Sequence, residues 1–149
     1  MSDDAPSNAV VLAWARLVRA QTAVLSAVEA DLKAAGFPPL AWYDALLELS
    51  RRPKGLRPFE LEKEMLLAQY NLSRLVDRLE KAGYVTRSPC PGDARGHVIT
   101  LTSDGKALMK RMWPTYRAAI ARHVGGKLDE TEAAELAALL GKLIRPPNA

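Results

Sequence analysis

The segment YNLSRLVDRLEKAG, residues 70–83, places the strongest constraint on how this chain folds. Its aliphatic side chains recur at the i, i+3, i+4 and i+7 spacing that puts them on one face of an α-helix. These stripe residues are Leu72, Leu75, Val76 and Leu79. The opposite face carries Tyr70, Ser73, Arg74, Asp77, Arg78 and Lys81. The pattern therefore predicts a helix that ends at Gly83, is buried along one stripe and leaves a polar, basic face exposed.

Three further helices are predicted before this segment. Residues 8–35 contain neither Pro nor Gly and repeat their apolar side chains at helical spacing, which predicts one long helix that ends at Gly36. Residues 40–50 form the second helix and residues 59–66, FELEKEML, contain the third. The side chains of the third helix that we expect to face inward are Leu61, Met65 and Leu66.

After Gly83 the pattern changes to two short strands, YVTRS and GHVITLT, joined by about eight residues. We predict a stiff loop between them, because Pro and Gly residues restrict its backbone. These residues are Pro89, Pro91 and Gly92. At the far side of the loop, the short spacing of Asp93 and Arg95 lets a carboxylate hold a guanidinium group in one orientation.

The remaining residues predict two more helices. Thr102 is a good N-cap for the first of them, and Pro114 lies inside it and should kink it. Asp129 and Glu132 have the D-x-x-E spacing of a capping box and begin the last helix. The chain is thus expected to be mainly α with a small β-wing, and two short helices followed by a two-stranded wing form a winged helix-turn-helix.

Composition places the chain among ordinary globular proteins of one domain. It has 149 residues, of which 48% are hydrophobic and 26% charged. We expect no membrane span, since no apolar run reaches about 18 residues. The polar N-terminus does not have the pattern of a signal peptide. Cys90 is the single cysteine, which fits a reducing cytoplasm.

The charge of +4 is distributed unevenly. Residues 1–50 carry 3 basic and 6 acidic side chains, whereas residues 51–97 carry 10 basic and 6 acidic ones. A polyanion such as DNA would be attracted to the middle of the chain. An unevenly charged, solvated surface would show the same counts.

Residues 66–107 resemble the core signature of the MarR family of transcriptional regulators. The phrases RLVDRLEKAGYVTR, DAR and ITLTSDG occur in the order and spacing that the family shows for its recognition helix, its wing and the start of the next helix. The resemblance implies a cytoplasmic homodimer that binds a pseudo-palindromic site on double-stranded DNA, typically as a repressor. Residues 8–35 and 103–145 would supply the dimerisation helices, and residues 40–101 the winged helix DNA-binding region of a single-domain chain, 1–149.

The resemblance also assigns roles to individual residues. Each recognition helix would enter a major groove, and each wing would place Arg95 in the adjacent minor groove with Asp93 orienting it. A narrow minor groove concentrates negative potential and attracts an inserted arginine. The other reading of Asp93 and Arg95 is a surface ion pair, which would contribute little to stability.

The start of the recognition helix departs from the family, where small hydroxyl residues are common. Here the sequence is AQYN, so either Gln69 or Asn71 supplies the polar start. Our candidates for base contacts are Gln69, Tyr70, Ser73 and Arg74, because glutamine reads adenine and arginine reads guanine in the major groove. The candidates for phosphate contacts are Arg78, Lys81, Arg51, Arg52, Lys54 and Arg57. Each of these residues could instead belong to a solvated face.

Many family members release DNA when a small aromatic acid binds between the dimerisation helices and the DNA-binding core. The residues in this chain that could line such an effector pocket are Trp14, Arg16, Trp42, Tyr43, Trp113 and Tyr116. Aromatic rings suit a flat ligand, and an arginine could meet its carboxylate. The alternative is that these rings pack in the core or at the dimer interface.

Enzyme chemistry is not expected. His97, His123 and Cys90 lack the spacing of metal ligands, and the sequence has no glycine-rich phosphate loop. We therefore expect no cofactor, metal or catalytic residue. The alternative function from another class is a winged-helix protein-interaction module that does not bind DNA.

Overall fold

The computed structural model describes residues 4–68 and 71–144, and within these ranges the side chains of Ala94 and Arg95 are not described. Two of the expected base-contact residues, Gln69 and Tyr70, therefore lie outside the described residues. The described chain contains helices α1 Asn8–Ala34, α2 Leu40–Ser50, α3 Pro58–Glu64, α4 Leu72–Lys81, α5 Ser103–Ile120 and α6 Glu130–Ile144. Strands β1 Val85–Cys90 and β2 Asp93–Leu101 lie between α4 and α5, and a π-helical turn, Ala121–Gly125, follows α5.

The chain divides into two compact units. Residues 32–115 form one, which contains α2, α3, α4 and both strands and which we call the winged-helix unit. Residues up to 31 and residues from 116 onward form the other, which we call the terminal unit. The predicted winged helix, 40–101, falls entirely within the winged-helix unit, and the fold class is confirmed as mainly α with a small β-wing.

The helix boundaries follow the signals in the sequence. Gly36 has a φ of +82° and its amide donates to the carbonyl of Lys33 at 3.0 Å, so the glycine ends α1 in the left-handed conformation. The Thr102 hydroxyl accepts a hydrogen bond from the Gly105 amide at 3.0 Å and caps α5. Helix α5 continues through Pro114 to Ile120.

The start of α6 is a reciprocal capping box. The Asp129 carboxylate accepts from the Glu132 amide at 2.8 Å, and the Glu132 carboxylate accepts from the Asp129 amide at 3.0 Å. This start was predicted from the D-x-x-E spacing and is confirmed.

The core of the winged-helix unit contains aliphatic side chains from α2, α3, α4 and both strands. All four stripe residues of α4 are buried, as the periodicity predicted. Leu61 and Met65 also face inward, but the same expectation was wrong for Leu66, which is 75% exposed. Helix α3 ends at Glu64, so the helical periodicity that would have turned Leu66 inward no longer applies.

The wing is a hairpin with a tight turn, and the predicted eight-residue loop was wrong. Strand β1 extends to Cys90 and β2 begins at Asp93, which leaves a connection of two residues. Gly92 has a φ of +80°, the conformation that a Pro-Gly pair adopts in a type II turn. Pro89 pairs with His97, and the register shifts just after it. A proline is tolerated at such an irregularity, where a ladder hydrogen bond is already missing.

A third segment joins the base of the wing. Leu56 pairs with Ile99 through two backbone hydrogen bonds, of 3.0 and 2.8 Å. Just before it, Gly55 has a φ of +91°, and a Cβ there would lie 2.5 Å from a methyl carbon of Val98 and 2.6 Å from the Ile99 carbonyl oxygen. Only glycine fits where the chain passes this close to β2. The segment before α3 is thereby fixed to the wing.

In the terminal unit, Asp31 near the end of α1 contacts two residues of the π-helical turn. Its carboxylate lies 3.1 Å from the Arg122 guanidinium and 2.9 Å from Nε2 of His123. Much of the apolar surface of this unit is open to solvent: none of the residues of α6, all within the described range, is buried. Exposed large apolar side chains of the two helices are Val10, Val11, Leu12, Trp14 and Val18 of α1 and Leu136, Leu139, Leu143 and Ile144 of α6.

Among the described residues, α1 is also the one helix that is long and apolar enough to cross a membrane, with a mean hydropathy of 1.2. One such helix near the N-terminus is a weak indication by itself. Arg16 and Arg19 both lie along α1 and are exposed, and arginine within a bilayer is costly.

Candidate nucleic-acid interface

Helix α4 is capped by the residue directly before it. The side-chain oxygen of Asn71 accepts a hydrogen bond from the Arg74 amide at 3.0 Å, which satisfies one of the free amides of the first turn. Of the two polar starts considered, Asn71 is the cap, and Gln69 lies outside the described residues. The Asn71 cap fixes where the helix begins and therefore which side chains stand in its first exposed turn.

The exposed face of α4 has the composition that its sequence predicted. Ser73, Arg74 and Arg78 are all exposed, on the side opposite the buried stripe. Among the described residues, none of these three side chains is in an ion pair that fixes it to the protein surface. The face therefore presents one hydroxyl and two guanidinium groups to an external partner.

The turn that leads into α4 is held by a buried carboxylate that sequence reasoning did not find. Asp44 of α2 is only 5% exposed, and its two oxygens accept from the amides of Leu66 and Leu67 at 3.0 and 2.7 Å. A carboxylate that accepts two backbone amides orders the segment that contains them. The partners are 22 and 23 residues apart from Asp44, and no local pattern marks this aspartate.

Arg87 of β1 connects the wing to α4. Its guanidinium lies 2.6 Å from the Asp77 carboxylate and 3.4 Å from that of Glu80. It also donates to the backbone carbonyl of Ser73 at 3.4 Å. Arg87 therefore spans two turns of α4 and fixes the orientation of the wing against that helix. The polar side of α4 serves two purposes, since Asp77 faces the wing while the two arginines remain free of it.

A second arginine, Arg57, contacts the wing from the other side. It is the residue before α3, and its guanidinium donates to the Asp93 carboxylate at 3.0 Å and lies over the Phe59 ring at 5.4 Å. The sequence assigned Arg57 to phosphate contact and Asp93 to orienting Arg95. The structure brings Arg57 and Asp93 together, and the Arg95 side chain lies outside what it describes.

The residues expected to line an effector pocket divide between the two units. In the winged-helix unit, the rings of Tyr43 and Trp113 stack with centroids 6.1 Å apart, and Trp42 packs edge-on against Tyr84 at 6.0 Å. Tyr43 is buried, and burial raises the pKa of its hydroxyl, an effect that nearby Arg51 partly offsets. Ring-to-ring packing is what the core alternative predicted for these residues.

The other three expected pocket residues, Trp14, Arg16 and Tyr116, belong to the terminal unit. Trp14 is 66% exposed and Arg16, two residues further along α1, is also exposed, whereas Tyr116 is half-buried. Among the described residues, no three His, Cys, Asp or Glu side chains are grouped so that they could hold a metal ion.

The fold and the exposed face of α4 define a winged helix-turn-helix protein. Comparison with known proteins then identifies its family. A MarR family model matches residues 35–96. The HTH-type transcriptional regulator PecS of Dickeya dadantii is 33% identical over 109 residues, which are 68% of this chain and 61% of PecS. The HTH-type transcriptional regulator YkoM of Bacillus subtilis is 32% identical over 114 residues, 75% of this chain and 71% of YkoM.

Solved structures agree with the sequence comparisons. A MarR family transcriptional regulator from Streptomyces coelicolor, solved in complex with DNA, is 27% identical and superposes with a TM-score of 0.78. The alignment covers 97% of this chain and 94% of that one. This chain belongs to the MarR family of transcriptional regulators, a family of regulators and not of enzymes.

Proposed function

We propose that this protein is a cytoplasmic homodimeric repressor, which binds a pseudo-palindromic site on double-stranded DNA and releases it when a small aromatic effector binds. The observation that carries the proposal is α4, which buries its aliphatic stripe and leaves Ser73, Arg74 and Arg78 exposed. A short helix of this kind, preceded by α3 and a fixed turn, is the element that reads the major groove in helix-turn-helix proteins. The DNA complex of the Streptomyces coelicolor relative supports the same assignment.

Within this proposal, the first turns of α4 read bases. Ser73 and Arg74 stand just after the Asn71 cap, where a recognition helix meets base edges. Gln69 and Tyr70, which precede the cap, join them in the proposed base contacts. Arg78 lies one turn later and is assigned to the phosphate backbone, which positions the helix without reading sequence.

The wing supplies the minor-groove contact in this proposal. Arg95 follows the Pro91–Gly92 turn by three residues in β2, which places it near the tip of the hairpin. Its guanidinium would enter the narrow groove, where the potential is most negative. Asp93 would limit the freedom of that guanidinium, so that less side-chain entropy is lost on insertion.

A second copy of the chain is proposed to cover the apolar surfaces of α1 and α6. Val10, Leu139 and Leu143 are 59%, 59% and 67% exposed. Monomeric soluble proteins rarely leave contiguous apolar patches of this kind open to water. A two-fold dimer would also present two copies of α4, as a pseudo-palindromic site requires.

The effector would act by favouring a dimer geometry that no longer matches two successive major grooves. The exposed Trp14 on α1 offers a flat apolar surface that suits an aromatic ring. Binding of such a ligand would lower DNA affinity by the coupling free energy between the two sites. Isothermal titration of the free protein with 4-hydroxybenzoate, and of the Trp14→Ala variant, measures that binding directly.

The proposal is tested by fluorescence anisotropy on duplex DNA from around the gene and on a random duplex, over a salt series. We expect the local duplex to bind far more tightly, with log K falling steeply against log salt concentration. Arg74→Ala should lower affinity mainly for the local duplex. Arg78→Ala should weaken binding to both duplexes and make the slope shallower by about 1.8, because the dimer loses one phosphate contact from each of its two copies.

Lys142→Gln also removes one positive charge, from α6, and is the matched control for the Arg74 and Arg78 variants. Repression is then read from transcription in vitro on a template that carries the bound site. If the wild-type protein shows no salt-dependent binding to either duplex, the DNA-binding proposal is wrong, and a protein partner of the α4 face has to be sought.

A further inference from the structure

Arginine is an unusual residue at the start of a helix, where Arg57 lies, which indicates another role for its side chain. It is the N-cap residue of α3, and the N-terminus of a helix carries partial positive charge, so Ser, Thr, Asp and Asn are preferred there. The Glu60 carboxylate accepts from the Arg57 amide at 2.9 Å, which is one half of a capping box, and a guanidinium has no acceptor with which to supply the other half. The guanidinium of Arg57 is therefore not used at the helix end.

That guanidinium is held between α3 and the wing. It donates to the Asp93 carboxylate at 3.0 Å and lies over the Phe59 ring at 5.4 Å. The side chains of Arg57 and Asp93 are 38% and 44% exposed, so solvent screens the pair only in part. A planar guanidinium can stack on a ring and donate to a carboxylate at the same time, which an ammonium group cannot do.

Two features of the backbone fit this contact. Leu56 is hydrogen-bonded to Ile99 of β2, so the residue directly before Arg57 is already part of the wing. Gly96 leaves the space that the pair occupies: a Cβ there would lie 2.9 Å from an Arg57 nitrogen and 3.0 Å from an Asp93 oxygen. The same Cβ would lie 3.0 Å from Cβ of Cys90, so a side chain at position 96 would crowd both the ion pair and the neighbouring strand.

Asp93 is the residue at which β2 begins, directly after the turn. Its partner in β1 is Cys90, beyond the point where the register shifts. The ladder is therefore irregular at the tip, and fewer hydrogen bonds within the hairpin fix the direction of the tip. Arg57 provides a contact from outside the hairpin, at the start of α3.

We propose that Arg57 is a positioning residue, which holds the wing tip at the angle at which Arg95 meets the minor groove, and is not itself a phosphate contact. This inference rests on the proposed function, since it concerns how the wing reaches DNA. Arg57 couples the first helix of the helix-turn-helix to the wing, so that α3, α4 and the wing approach the duplex as one body. Arg87 makes the corresponding connection at the base of the wing.

The test is a double-mutant cycle on DNA affinity, with Arg57→Gln, Arg95→Ala and the double variant measured by anisotropy. A positioning role predicts that Arg57→Gln weakens binding about twofold to fivefold, as loss of a half-exposed ion pair allows. The same substitution should have no further effect in the Arg95→Ala background. Arg57→Lys should not restore affinity, because lysine keeps the charge but cannot stack and donate in this geometry.

Hydrogen–deuterium exchange of the free protein provides a measurement that does not involve DNA. We expect faster amide exchange over residues 90–97 in Arg57→Gln than in the wild-type protein, with α4 unchanged. Lys63→Gln removes the same charge from α3 and is the matched control for both experiments. Thermal unfolding of each variant shows whether it is folded.

Two results would overturn the inference. If Arg57→Gln weakens binding equally with and without Arg95, and Arg57→Lys restores it, Arg57 is a phosphate contact. If exchange over residues 90–97 is unchanged in Arg57→Gln, the wing tip does not depend on Arg57. If Arg95→Ala alone leaves DNA affinity unchanged, the proposed minor-groove contact fails, and the exchange experiment still decides whether Arg57 holds the tip.

Discussion

Replacing Asp44 should destabilise the protein and loosen the segment that leads into α4. Asp44 is 5% exposed and accepts two backbone hydrogen bonds, from Leu66 at 3.0 Å and Leu67 at 2.7 Å. Hydrogen bonds to a charged group each contribute about 1.5–3 kcal/mol. Leu66 is exposed and Leu67 half-buried, so water can partly replace the lost acceptor and the lower end of this range applies.

We therefore expect Asp44→Ala to lower the free energy of unfolding by about 3 kcal/mol, since both hydrogen bonds are lost. Asp44→Asn keeps one acceptor oxygen and should cost about 1.5 kcal/mol. Against a total stability of about 5–15 kcal/mol, both effects are large enough to measure. The ranking of the two losses in free energy of unfolding is as informative as their magnitudes, because it follows from the number of acceptor oxygens that remain.

Equilibrium unfolding in urea measures both values, with all variants at one protein concentration because the apparent stability of the proposed dimer would depend on it. Asp4→Asn, which changes an exposed aspartate before α1, is the control for loss of a negative charge. The Asp44 variants should also bind duplex DNA more weakly than their stability explains, since the turn sets the position of α4. If both Asp44 variants unfold within about 0.5 kcal/mol of the wild-type protein, the carboxylate does not hold the turn and this reasoning fails.

Three further predictions concern single contacts. Asn71→Ala removes the cap of α4 and should lower the free energy of unfolding in urea by about 1 kcal/mol. Asn71→Ser keeps a capping oxygen and should retain most of that stability. Equal loss in both variants would contradict the role of Asn71 as the cap. Gly96→Ala should displace the Arg57–Asp93 pair and weaken DNA binding measured by anisotropy, with thermal stability little changed; full DNA affinity would show that the wing accommodates the methyl group. Tyr43 has a raised pKa, so its neutral form is favoured in the folded state, and the stability that this provides is present below pH 10 and is lost as pH rises through the folded pKa. Between pH 10 and that higher pKa, the wild-type protein should therefore lose more thermal stability than the Tyr43→Phe variant. If thermal scans show the same loss in both proteins, the raised pKa of Tyr43 is refuted.

The sequence was sufficient to predict the helices, because each depends on local information. Leu72, Val76 and Leu79 mark a buried stripe by their spacing alone, and Gly36 and Thr102 mark helix ends by their own chemistry. The exposed face of α4 follows from the same periodicity. The proposed DNA-contact residues of that helix could therefore be named before the structure was known.

The sequence was not sufficient for the wing or for the contacts between elements. Pro89 and Pro91 indicated a loop, but Pro89 sits at an irregular pair and Pro91 starts a two-residue turn, so neither interrupts the hairpin. The pair of Arg57 and Asp93 spans 36 residues of sequence. Periodicity carries no information about such a pair, which depends on how the wing folds back over α3.

The path of residues 55–57 limits how proteins of this architecture can change in length. Three consecutive residues each meet a different requirement. Position 55 must be glycine because the chain passes close to β2, Leu56 pairs with the backbone of Ile99, and the Arg57 guanidinium reaches Asp93. One inserted residue would shift the last two out of register and turn the side chain at the Arg57 position to the opposite side. The Pro91–Gly92 turn has no neighbour that limits it in space, since a Cβ at Gly92 would meet nothing within 4 Å, and its constraint is the φ of +80° that favours glycine. Insertions and deletions among relatives should therefore accumulate at the wing turn and be absent from the three residues before α3.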